Sequence, residues 1–202
     1  MAILKIARMG HPVLKQVAEV VPDPTAPSIA RLVDNMVETM LDAPGQGLAA
    51  PQVHVSKRLV VYIPPPDVVD DDDEAEEEED APYERKIRVL VNPVLSTLDD
   101  EMNDNWEGCL SVPDLRGVVP RYSRIHLAAS RLDGSEIDET LSGWHARVVQ
   151  HECDHLDGVL YPQRMTDLSS LTFETEMRHL IAEARKAREA AEADETADED
   201  QG

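Results

Sequence analysis

Two histidines four residues apart carry the strongest chemical signal in the sequence. They belong to the segment His-Glu-Cys-Asp-His at 151–155. On an α-helix, residues four apart lie above one another, so His151 and His155 can bind one metal ion from adjacent turns. Glu152 lies about 100° further around the helix, where its carboxylate can reach a metal-activated water without being a ligand. This pattern is typical of metal-dependent hydrolysis.

A catalytic site of this kind needs a third protein ligand, and the residues leave several solutions open. One class of zinc proteases uses a third histidine, but Tyr161 stands at that position here. A second class, the zinc endopeptidases with a downstream glutamate, would use Glu174 or Glu176. Cys109, in the segment Trp-Glu-Gly-Cys-Leu-Ser-Val-Pro, offers a thiolate, which is a good ligand for Zn²⁺ or Fe²⁺.

Apolar periodicity predicts the helices that position these residues. Between 29 and 41, apolar side chains recur at every third or fourth position, and Pro44–Gly45 ends the helix. Cys153 points away from the histidine face of the second helix and is expected in the core. A last helix is predicted at about 168–188. The following residues are predicted to share one face of the second helix: Leu141, His145, Val148, Val149, Glu152, His155 and Leu156.

The remaining apolar segments predict strands. Residues 58–63 and 87–92 are apolar runs, and 124–130 with the segment after Asp133–Gly134 predicts a hairpin. Strands and helices do not alternate. The pattern therefore predicts an α+β fold with mostly antiparallel sheets packed around a central metal-binding helix, together with an N-terminal and a C-terminal helix.

The formal net charge of −22 is concentrated in two segments. Residues 67–80 and 189–200 hold 11 and 7 of the 41 acidic side chains and no basic ones. We expect a single catalytic domain at 1–188, with an acidic surface insertion at about 66–82, and a disordered acidic tail at 189–202. Such segments repel phosphate, so specific nucleic-acid binding is not expected.

The location of the protein is predicted from what the sequence lacks. It has no run of 18 apolar residues, so no membrane span is expected. The N-terminus has no secretion-signal pattern, which predicts a cytoplasmic protein. The two cysteines, Cys109 and Cys153, are accordingly expected to be free thiols or ligands and not a disulfide.

Three segments together resemble the signature of the peptide deformylase family, in its bacterial type. They are Gly-Gln-Gly-Leu-Ala-Ala-Pro-Gln at 45–52, Glu-Gly-Cys-Leu-Ser at 107–111 and Gln-His-Glu-Cys-Asp-His at 150–155. The segment 10–16 is also similar to the family, and the resemblance extends from about residue 3 to 165. It implies a metallohydrolase that removes the formyl group from the N-terminal methionine of new polypeptides, releasing formate.

The resemblance also implies a role for each matching residue. Metal ligands would be Cys109, His151 and His155, with Glu152 as general base and acid. The side-chain amide of Gln52 and the backbone N–H of Leu110 would stabilise the oxyanion. The resemblance further implies the following substrate-binding residues: Gly47, Gly108, Gln46, Arg116 and Val148. Glu107 and Arg116 would support the site, and Gln46 stands where the family often has an aliphatic residue.

The implied cofactor is one divalent ion per chain, Fe²⁺ in vivo, with Zn²⁺, Ni²⁺ or Co²⁺ able to substitute. The implied partners are N-formylmethionyl peptides emerging from the ribosome, and the chain is expected to be a monomer. A third alternative to deformylase and endopeptidase is a metal-binding or ribosome-associated module without catalysis. The matched catalytic positions are all filled, which argues against that alternative.

The acidic insertion is predicted to have no part in the chemistry. Deleting residues 67–80 is therefore expected to leave turnover of a formylated peptide unchanged, because none of the residues implied in catalysis lies there. Steady-state kinetics of the deletion variant beside the parent protein tests this. A large fall in kcat/KM would contradict it.

Overall fold

The computed structural model describes residues 2–65, 87–183 and 185. Its strands form a five-stranded antiparallel sheet in the order β1-β2-β3-β6-β7 and a three-stranded antiparallel sheet in the order β4-β5-β8. The strands are β1 (Gly47–Ala49), β2 (Leu59–Tyr62), β3 (Arg88–Thr97), β4 (Met102–Cys109), β5 (Val112–Tyr122), β6 (Arg124–Ser130), β7 (Glu136–Ser142) and β8 (Thr172–Phe173). The predicted insertion at 66–82 and tail at 189–202 lie outside the described residues.

Two α-helices cover opposite faces of the larger sheet: α1 (Pro27–Asp42) and α2 (Gly143–Leu156). Alternate residues of a strand point to opposite faces. In β2, Leu59 and Val61 accordingly pack with α1, whereas Val60 and Tyr62 pack with α2. Because both faces are covered, all four residues of this strand are buried.

The structure confirms the predicted α+β class and the helix and hairpin segments, with two corrections. Leu141 does not belong to the second helix, since it lies in β7, where it pairs with Ile125. The predicted helix at 168–188 is interrupted, because β8 pairs with β5 before helical backbone resumes at 177–183. Among the described residues, no helix has the length and apolar character needed to cross a bilayer.

The smaller sheet places the segment that contains Cys109 beside α2. Strand β4 ends at Cys109 and β5 begins at Val112, so the two strands are joined by a very tight turn. Their register shifts between Gly108 and Cys109. The turn directs the cysteine side chain toward the helix, and the sheet packs on its own apolar cluster containing Val119 and Tyr161.

Candidate active site and metal centre

The turn after β4 and one face of α2 bring a sulfur and two imidazoles together. Ligand atoms of Cys109, His151 and His155 all lie within 4.8 Å of one another. The Cys109 Sγ is 3.3 Å from Nε2 of His155. The rings of His151 and His155 are 5.2 Å apart and nearly perpendicular, as expected for side chains one turn apart on a helix.

These three side chains fit a divalent metal ion. Zinc–sulfur and zinc–nitrogen bonds are about 2.3 and 2.0–2.1 Å long, so two donor atoms 3.3 Å apart can bind the same ion. One thiolate with two imidazoles is a donor set suited to Zn²⁺ or Fe²⁺. A carboxylate atom beside them, Oε2 of Glu152, is buried and has no hydrogen-bond partner. The geometry therefore provides three candidate ligands and an adjacent buried carboxylate.

The cysteine is held in its metal-binding form. Burial raises the pKa of the Cys109 thiol, but His155 and His151 outweigh burial and keep its pKa well below the usual value. The backbone N–H of Ser111 donates to the sulfur at 3.4 Å, and Nε2 of Gln52 donates at 3.6 Å. These donors and the imidazoles favour the thiolate, which is the form that binds metals.

Glu107, which the resemblance implied as a supporting residue, orients one of the histidines. Its Oε2 accepts a hydrogen bond of 2.8 Å from Nδ1 of His151, which leaves Nε2 of that ring for the metal. Arg121 donates to both carboxylate oxygens of Glu107, each at 2.9 Å. Burial alone raises the pKa of Glu107, but the bonds from Arg121 and His151 lower it to about 2. The carboxylate is therefore charged and firmly placed.

Glu152 lies in the interior with its carboxylate against the backbone of β1. A β-carbon at position 47 would overlap that carboxylate, so Gly47 is required for the close approach. Burial raises the pKa of Glu152 to about 6, against the lowering influence of His151 and His155. A carboxylate whose pKa is near neutrality is suited to accept and return a proton.

The side-chain amide of Gln52 is oriented by its own backbone neighbour. Its Oε1 accepts the N–H of Ala49 at 2.8 Å, so the NH₂ group must face the other way. That group lies 3.2 Å from Oγ of Ser111 and 3.6 Å from Sγ of Cys109. The NH₂ group of Gln52 is therefore a buried hydrogen-bond donor that already points toward Cys109.

A cavity of about 690 Å³ opens onto this centre. Two of the side chains that line it are joined by a hydrogen bond of 3.2 Å, from Nε1 of Trp144 to Oε1 of Gln46. The Arg116 side chain, which also lines the cavity, lies over Gly108, where a β-carbon would overlap it, and pairs with Glu174 at 3.0 Å. All of the residues that the resemblance implied for substrate binding line this cavity: Gln46, Gly47, Gly108, Arg116 and Val148, and Leu110 lines it as well.

The alternative third ligands are not among the clustered ligand atoms of the described residues, although Glu174 lines the same cavity. Glu174 pairs with Arg116 and Glu176 lies near His179, and neither belongs to the metal-ligand group found among the described residues. Tyr161 stacks on His151 with ring centroids 6.3 Å apart. Cys153 is buried in the core of the larger sheet, where the sequence placed it.

Sequence reasoning missed two buried arginines, Arg121 and Arg147, that both bind Glu107. A signal for Arg147 was present, since this charged residue stands between Ala146 and Val148 and lies one helical turn before His151. Arginine in such a position needs a buried carboxylate. No local pattern indicated Arg121, which reaches Glu107 through the pairing of β4 with β5.

Comparison with known proteins decides the family. A family model described as polypeptide deformylase matches residues 3–170. The chain belongs to the peptide deformylase family. It is therefore an enzyme that removes the N-formyl group from nascent peptides, as the sequence predicted. Peptide deformylases are metal-dependent, in agreement with the three ligands that the fold brings together.

Several peptide deformylases align with this chain over 90% or more of their own length. Peptide deformylase 1 of Prochlorococcus marinus is 41% identical over 98% of this chain and 100% of its own. Peptide deformylase 1 of Bordetella pertussis is 45% identical over 83% of this chain and 90% of its own. A Met-Ala-Ser-bound class I type b peptide deformylase of Acinetobacter baumannii is 37% identical, with a TM-score of 0.68 over 81% of this chain and 98% of its own. The Thermotoga maritima enzyme has a TM-score of 0.69 at 32% identity, over 82% of this chain and 99% of its own.

Proposed function

We propose that Cys109, His151 and His155 hold one divalent ion and that Glu152 is the general base and acid of deformylation. The observation that carries this proposal is that these three ligand atoms meet beside the buried carboxylate of Glu152, whose Oε2 has no hydrogen-bond partner among the described residues. An ion bound there would lower the pKa of a water molecule and polarise the formyl carbonyl.

The proton transfers are assigned to Glu152. Its carboxylate takes a proton from the water that attacks the formyl carbon, and the tetrahedral carbon then carries a negative oxygen. Glu152 returns the proton to the amine nitrogen as the carbon–nitrogen bond breaks. The products are formate and a peptide with a free α-amino group, so one water is consumed for each amide broken.

Two donors from different elements are proposed to stabilise the negative oxygen. Nε2 of Gln52 faces the centre because Ala49 holds the other end of the amide. Leu110 follows Cys109 in the tight turn and lines the same cavity, which supports its backbone N–H as the proposed second donor. Donors that are fixed before the reaction stabilise the developing charge without reorganising.

The cavity walls are proposed to bind the peptide. Gly47 and Gly108 line the cavity and would offer backbone groups to the peptide, and Arg116, which also lines it, would bind a carbonyl further along the peptide. Gln46 and Val148 would line the methionine pocket. Met-Ala-Ser, bound in the Acinetobacter baumannii relative, is the peptide that remains when formyl-Met-Ala-Ser loses its formyl group.

Several finer predictions accompany this function. They are Fe²⁺ as the native ion, formylmethionyl chains at the ribosome as substrates, a monomeric state and a cytoplasmic location. The proposed substrate supports the cytoplasmic location, because new polypeptides are made by ribosomes in the cytoplasm. Elemental analysis of anaerobically purified protein, together with size-exclusion chromatography, checks the ion and the monomer.

The direct test of function is release of a primary amine from formyl-Met-Ala-Ser. The metal-loaded protein should release amine and formate in equal amounts, and addition of a strong chelator should abolish the reaction. A protein that bound metal without releasing either product would instead be the non-catalytic module.

Replacing Gln52 by leucine is expected to lower kcat by about 10²–10³-fold, the usual effect of losing one oxyanion donor. KM should change much less, because the amide acts on charge that develops in the transition state. Ser111→Ala is the matched control, since it removes a neighbour of that amide and leaves the donor itself. A Gln52→Leu enzyme with normal kcat and raised KM would assign Gln52 to substrate binding.

A further inference from the structure

Arg147 is a buried arginine one turn before His151 on α2. Its side chain is 4% exposed. Its guanidinium donates to the backbone carbonyls of Val119, at 2.7 Å, and Asn103. It also donates to Oε1 of Glu107 at 2.8 Å. A charge in the interior is tolerated only when it is paired and hydrogen-bonded, and this one is both.

Glu107 connects this arginine to the metal centre. One of its oxygens accepts from Arg147 and Arg121, and the other accepts from Arg121 and from Nδ1 of His151. A carboxylate with four such donors has a single favourable orientation. The ring of His151 is therefore fixed by a carboxylate that is itself fixed, which is how outer partners tune a metal ligand.

The two arginines do not hold Glu107 in the same way. Arg121 is shared, because its Nη1 donates to Asp154 at 2.6 Å, and Asp154 also pairs with Arg164. Among the described residues, Glu107 is the one ion-pair partner of Arg147. Arg147 also binds carbonyls of both β4 and β5, so it ties Glu107, the smaller sheet and α2 to one point.

We propose that Arg147 is a positioning residue for the metal centre, which acts through Glu107 to set the orientation of His151. This inference rests on the proposed assignment of His151 as a ligand. The charge balance supports it. Two buried carboxylates, Glu107 and Asp154, are balanced by the buried arginines Arg121 and Arg147, and loss of Arg147 would remove one of the two guanidinium groups that pair with Glu107. Arg164 is half exposed and reaches only Asp154, so it provides a matched control.

The test is the release of Co²⁺ from loaded protein to a chromogenic chelator, together with the visible spectrum of the Co²⁺ form. Arg147→Met is expected to release the ion faster, by up to the roughly 10–100-fold in metal affinity that loss of the outer partner Glu107 itself would cause, with an altered spectrum. Arg147→Lys should lie between this variant and the parent. Arg164→Met should release Co²⁺ within about twofold of the parent rate.

Circular dichroism and thermal unfolding separate positioning from folding. A folded Arg147→Met protein with the parent's release rate and spectrum would show that Arg147 acts on the fold alone and would overturn the proposal. If the methionine variant does not fold, Arg147→Lys decides, because a parental release rate overturns the proposal and a faster one supports it. A parent protein that binds no Co²⁺ contradicts the proposed metal centre itself and is recognised before any variant is made.

Discussion

Replacing Glu152 by glutamine is expected to lower kcat/KM on formyl-Met-Ala-Ser by about 10²–10⁴-fold, the range that general acid–base catalysis contributes. The substitution keeps the size of the side chain and its contact with the backbone of Gly47. It removes the group that accepts the proton. Metal content should remain at one ion per chain, because this carboxylate is not in the ligand group. Amine release and elemental analysis on the same preparation measure both quantities.

The matched control for this variant is Glu176→Gln. Glu176 is an exposed glutamate of the C-terminal segment, and its substitution should leave kcat/KM within about twofold of the parent value, the range expected for a surface change. Activity of Glu152→Gln within tenfold of the parent would contradict the proposal and require another base.

Cys109→Ala should lose the metal and, with it, the deformylase activity. Removing the sulfur leaves two protein ligands where a catalytic site needs three. The affinity should therefore fall by more than the roughly 10–100-fold that loss of an outer partner causes. Dialysis against a weak chelator followed by elemental analysis measures the loss, and circular dichroism establishes that the variant is folded.

Glu174→Ala and Glu176→Ala complete this experiment, because the endopeptidase alternative assigns one of them as the third ligand. Both variants are expected to keep the metal, since Glu174 pairs with Arg116 and Glu176 lies near His179. Retention of metal by Cys109→Ala and its loss from either glutamate variant would favour the endopeptidase and contradict the ligand set proposed above.

The parts of the site that lie on one element could be predicted from the residues alone. His151, Glu152 and His155 belong to a single helix, so their relative placement follows from helix geometry. Cys109 is 42 positions from His151, and nothing in their spacing brings them together. The resemblance supplied that contact, and the tight turn between β4 and β5 explains it.

The C-terminal helix is confirmed at 177–183, and the element bounds that were wrong, its start and the place of Leu141, depend on tertiary pairing. The segment after 168 has helical spacing, yet Thr172–Phe173 pairs with Leu115 and Arg116 on the smaller sheet. Such a pairing depends on an edge strand formed some 50 residues earlier, and local propensity cannot indicate it. Leu141 fits the helical pattern by chance, because it lies on the buried side of β7 just before α2 begins.

The pairing of Tyr62 with Arg88 fixes where the larger sheet can accept additional chain. The two ends of the connection between β2 and β3 are neighbours across the sheet, so its length adds little strain to the domain. Each doubling of such a connection costs only about 0.6 kcal/mol of closure entropy. This junction is therefore a suitable place to graft a reporter or affinity module, because the strands on both sides of it are held by their pairing.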